Sequence, residues 1–71
     1  MNIQEETEIA LKDAYWAEIR KLYDAYLHAV SIAQDKENQM DAAADRFKKG
    51  LALAQAALIR CQQMIGELPG K

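Results

Sequence analysis

Residues 34–39, Gln-Asp-Lys-Glu-Asn-Gln, decide the fold of this 71-residue chain. They are six consecutive polar residues between two segments with helical periodicity, and none of them suits a core. Asp35 and Asn38 have side chains that compete with the helical backbone for hydrogen bonds, and Asn38 is a good cap for a following helix. Read as a turn, the stretch makes an αα-hairpin; read through, since it lacks Gly and Pro, it makes one long helix. The apolar rows on either side favour the turn, because their spacing becomes irregular here and the positions that would continue them, Lys36 and Glu37, are charged. The expected architecture is all-α: one domain over residues 1–71, a two-helix antiparallel hairpin with helix one over about 3–34, a turn over about 35–39 and helix two over about 40–66.

Working outward, the first segment starts near Asn2, a cap with Glu5 three residues on, and places further acids where the positive end of the helix dipole favours them. From Leu11 the residues Tyr15, Ile19, Leu22, Tyr26, Ala29 and Ala33 alternate steps of four and three, as a heptad seam requires. A second row, Trp16, Tyr23, Leu27 and Val30, lies beside it. At about 100° per residue the two rows span an apolar arc of roughly 160°, wider than a single neighbouring helix covers. The second segment has its own seam, Met40, Ala44, Phe47, Leu51, Ala54, Leu58, Cys61, Ile65 and Leu68. Leu53, Ala57 and Met64 widen that face on one flank, while Ile59 stands alone on the other. Gly66 and then Pro69-Gly70 supply the stop.

Bulky and small residues are divided between the helices: helix one has Tyr15, Trp16, Tyr23 and Tyr26, and helix two has Gly50, Ala54 and Ala57. Small residues let two backbones approach, and large rings fill the adjoining space. Two helices packed on each other still leave the outer part of the aromatic arc open. A chain this short has a core worth only about 3–5 kcal/mol on its own. The expected remedy is association, either a helical bundle closed by dimerisation or a partner protein in the groove. Tyr15, Trp16, Tyr23 and Leu27, with Leu53 and Met64 as lesser members, are the expected partner-binding residues.

Other chemistry has little to stand on. Cys61 is the one cysteine and His28 the one histidine, in different segments, so neither a disulfide within the chain nor a zinc site is expected. No glycine-rich phosphate loop, carboxylate pair or nucleophile motif is present, and no catalytic residue, metal or cofactor is expected. A net charge of -2 with charges of both signs gives no basic face for nucleic acid. The acidic start lacks the basic and apolar blocks of a secretory leader, and apolar runs such as Ala56 to Ile59 fall far short of the roughly 20 residues that span a bilayer. The single unpaired cysteine fits a reducing compartment, and the expected location is the cytoplasm.

The run Phe47-Lys48-Lys49-Gly50-Leu51-Ala52-Leu53-Ala54-Gln55-Ala56-Ala57-Leu58-Ile59, followed by Met64-Ile65-Gly66-Glu67-Leu68, resembles the second helix of the small helical-hairpin co-chaperones of the type III secretion needle subunit. The resemblance covers about a third of the chain and is one of residue character. It implies a non-enzymatic cytoplasmic co-chaperone that joins a larger helical-repeat protein to hold an aggregation-prone needle subunit monomeric. The rival expectation is a homodimeric four-helix bundle acting as a regulator or inhibitor of a host protein, of the phage or plasmid type.

Overall fold

The computed structural model describes residues 3–68. They form two helices, α1 (Ile3–Ala33) and α2 (Glu37–Gly66), packed along their length in an elongated hairpin of 53 × 17 × 7 Å. The expected all-α antiparallel hairpin is therefore the fold. The caps expected at Asn2 and the stop expected from Pro69-Gly70 lie outside the described residues.

The turn is shorter and earlier than the sequence suggested. Only Gln34, Asp35 and Lys36 separate the helices; Glu37, Asn38 and Gln39 already belong to α2. Gln34 and Asp35 both take positive φ, 48° and 67°, and the Lys36 amide donates to the Ala33 carbonyl at 3.0 Å. Two consecutive left-handed residues closed by such a bond have the shape of a type I′ turn, which reverses the chain in the fewest residues. Lys36, extended at φ -73° and ψ 111°, takes the N-cap position expected of Asn38, and no side chain caps the helix there. Its carbonyl instead accepts from Gln39 at 3.1 Å and Met40 at 2.9 Å. Polar residues were a poor guide to the boundary for a physical reason. The first amides of a helix have no partner within it, so Glu37, Asn38 and Gln39 can be helical while facing water, and Glu37 favours the dipole there.

Near the turn the helices are held close by small side chains, Ala33 and Ala43, which are buried. At mid-length Gly50 meets Leu22, so close that a Cβ on Gly50 would lie 2.5 Å from Leu22 Cδ2. Between these points the rings of Tyr26 and Phe47 pack with centroids 5.3 Å apart. At the open end Ile65 is buried, and the Gln4 side-chain amide donates to the Ile65 carbonyl at 2.8 Å, tying the start of α1 to the end of α2. Seam residues Tyr15, Ile19, Leu22, Tyr26 and Ala29 of α1 are half-buried between the helices, as are Met40, Ala44, Phe47, Leu51, Ala54, Leu58 and Cys61 of α2. Leu68, expected as the last seam residue, is exposed because α2 ends at Gly66 and the chain turns away.

Candidate functional site

Two helices have one mutual interface, and it does not enclose a core. Among the described residues only Ala33, Ala43 and Ile65 are buried, and no large side chain is completely shut from water. Ten large hydrophobic side chains are substantially exposed, from Leu68 at 43% to Leu53 at 72%. The apolar surface left open is the candidate site.

That surface has two sides, and handedness decides which residue lies on which. In an antiparallel pair of right-handed helices, rising residue number sweeps both seams toward the same side of their common plane. Counting about 100° per residue, Ile9, Trp16, Tyr23 and Leu27 fall on one side, and Leu53, Ala57 and Met64 on the other. The expected binding residues are thus not one patch. Trp16, Tyr23 and Leu27 are brought together, and Tyr15 reaches them from the seam, its ring edge-on to Trp16 with centroids 5.4 Å apart. Leu53 and Met64 lie on the opposite side.

Open depressions mark this second side. One of about 430 Å³ is walled by Leu11, Ala14, Glu18, Ala54, Ala57 and Cys61. Leu53 borders another of about 650 Å³ with Glu18, Leu22 and Gly50, and Met64 a third of about 520 Å³ with Arg60 and Glu67. None of these has Trp16, Tyr23 or Leu27 in its wall. The aromatic side presents projections and the groove side presents hollows.

Ile9 completes the aromatic side and was not foreseen. It is exposed and stands seven residues before Trp16, as Trp16 does before Tyr23 and Tyr23 before Val30. Extending the second row backwards by one heptad would have found it. Val30, nearest the turn, is half-buried. The corresponding flank of α2 is polar: Asp41, Lys48, Gln55 and Gln62, all exposed.

The remaining functional groups are scattered. His28 is exposed at the rim of a depression with Ile32, Gln39 and Arg46, and Cys61 is a half-buried free thiol. Among the described residues no three His, Cys, Asp or Glu side chains gather as metal ligands, and no buried side-chain nitrogen or oxygen lacks a hydrogen-bond partner. Among the described residues no helix is long and apolar enough to cross a membrane. No protein-family model matches the chain, and no curated protein or solved structure matches it.

Proposed function

We propose that this chain is a non-enzymatic protein-binding module, a helical hairpin that works as part of a larger assembly of helices. One observation carries the reading: among the described residues no large side chain is completely buried, yet ten large hydrophobic side chains are open to water. Monomeric soluble proteins seldom expose contiguous apolar patches beyond a few hundred Å² unless the patch binds something. Helices are the natural cover, because heptad-spaced projections and inter-residue hollows accept the ridges of another helix.

The finer reading is a cytoplasmic co-chaperone for a secretion-needle subunit. It rests on the residue character of 47–59 and 64–68, a region that supplies Gly50, Ala54, Ala57 and Met64 to the groove side. A groove of small side chains suits a client helix that would otherwise aggregate, and binding it stabilises the hairpin by mass action.

The test is a dilution series of the purified chain followed by far-UV circular dichroism, thermal melting and quenching of the single tryptophan. The chain should either lose helicity and melting temperature on dilution or be loosely folded at every concentration, with Trp16 freely quenchable when dilute. A melt independent of concentration, with Trp16 shielded throughout, would overturn the binding-module reading. For the co-chaperone reading, co-expression should keep a needle subunit soluble and in complex with this chain; a subunit that aggregates regardless would exclude that role.

A further inference from the structure

We infer that a second copy of this chain covers the aromatic side, by antiparallel pairing of α1 with α1 of the partner about a two-fold axis near Trp16. This rests on the binding-module reading and names the occupant of one of its two sides. Surface area, flank composition and charge each contribute to it.

The chain exposes 5694 Å². A compact folded chain of 8.0 kDa exposes only about 4,450 Å² by the relation between surface and mass. The excess, about 1,200 Å², is more than the roughly 800 Å² that each partner contributes to a standard stable interface. A standard interface with a second hairpin can thus be made entirely from surface that a compact chain of this mass would not expose.

The apolar flank is chiefly that of α1, since the matching row of α2 is Asp41, Lys48, Gln55 and Gln62, with only the exposed Ile59 apolar beyond it. A cover therefore lies along α1 and not over the cleft between the helices. Ile9, Trp16, Tyr23 and Val30 repeat at seven residues, the period of two helices wound about each other.

The charges at the margin make α1 complementary to itself. Asp13 and Arg20 lie just outside the ladder, one heptad apart, with Trp16 between them in sequence. When an identical helix runs antiparallel with Trp16 near the axis, Asp13 faces the partner's Arg20 and Arg20 faces the partner's Asp13, while Ile9 meets the partner's Tyr23. A parallel pairing in register would instead carry this flank of the two helices to opposite sides of the interface, so neither Asp13–Arg20 pair would form. Lys12, on the inner edge of the ladder, can lay its methylene stem along the rings and keep its ammonium in water. The arrangement places the largest aromatic at the centre of an isologous interface, where binding energy concentrates.

Sedimentation equilibrium of the full chain, with circular dichroism to verify helix content, tests this. The wild type should be a dimer, and Trp16→Ala should weaken it by more than about a hundredfold, since each change removes two central anchors. Asp13→Arg and Arg20→Asp should each weaken it about tenfold by setting like charges across the axis twice. The double variant carrying both should return to within about threefold of wild type, because the pairs are restored with their signs exchanged. Ala56→Ser, on the exposed outer face of α2, should leave the dimer constant unchanged. A loosely folded monomer at every concentration would overturn self-pairing and leave the binding-module reading standing. A cooperatively folded monomer with Trp16 shielded would overturn both. Dimers indifferent to Trp16→Ala would place the interface elsewhere, and a double variant no better than the single ones would overturn the antiparallel register.

Discussion

The aromatic side and the groove side of the hairpin share a seam and differ in what they offer. One projects Ile9, Trp16, Tyr23 and Leu27 from a single helix; the other recedes between two helices around Ala14, Gly50, Ala54 and Ala57. Projections are satisfied by one helix laid alongside, whereas hollows need side chains inserted from a partner. The difference teaches that one hairpin can present two surfaces of opposite relief, provided the helices stay close enough to keep the hollows shallow.

The largest effect is expected where both sides depend on the same close approach. Ala33 is completely buried at the end of α1, and its carbonyl receives the amide that closes the turn. Ala33→Leu inserts three carbons where no space is free and should destabilise the hairpin by about 1–3 kcal/mol. Denaturant melts would show it as a lower midpoint. An unchanged midpoint would mean that the helices splay near the turn, so that the contrast between a projecting and a receding side has no fixed scaffold.

A change belonging to neither side sharpens the comparison by separating hairpin stability from surface chemistry. Lys36 occupies the N-cap of α2 without a side-chain cap bond, a position where Ser, Asp or Asn accepts an orphan amide. Lys36→Ser should stabilise the fold by about 1 kcal/mol, within the usual range of a gained cap. Both sides should then bind more tightly in proportion. A gain on one side only would show that the turn is part of that surface.

Much of the hairpin could be read from the sequence because seam spacing is a direct consequence of helix geometry. Tyr15, Ile19, Leu22, Tyr26, Ala29 and Ala33 all lie inward, and so do the α2 seam residues from Met40 to Ile65. The turn was less legible, since Gln34 and Asp35 adopt positive φ without the glycine that normally announces it. The division of the site was not legible from apolarity at all. Trp16 and Leu53 are both apolar residues flanking a seam, and only the antiparallel pairing, through the shared sense of rotation of the two helices, sends them to opposite sides. The exposed state of Ile59 followed from its isolation on the outer face.

The smallest effect is expected at Gly50, and it measures how much slack the groove side has. Alanine here gains helix propensity of up to about 1 kcal/mol. Against that, its Cβ would stand 2.5 Å from Leu22 Cδ2 and 3.3 Å from Cδ1. These are the far ends of a flexible side chain, and Leu22 borders open depressions of about 280 and 650 Å³ into which it can swing. Displacing it off its preferred rotamer costs about 0.5–1.5 kcal/mol. The opposing terms nearly cancel, so Gly50→Ala should change stability by less than about 0.5 kcal/mol, the size usual for an uncritical substitution. Thermal and denaturant melts decide the point. A loss as large as that from Ala33→Leu would mean that Leu22 has nowhere to go, and that the hollows beside Gly50 are as tightly specified as the buried contacts at the turn.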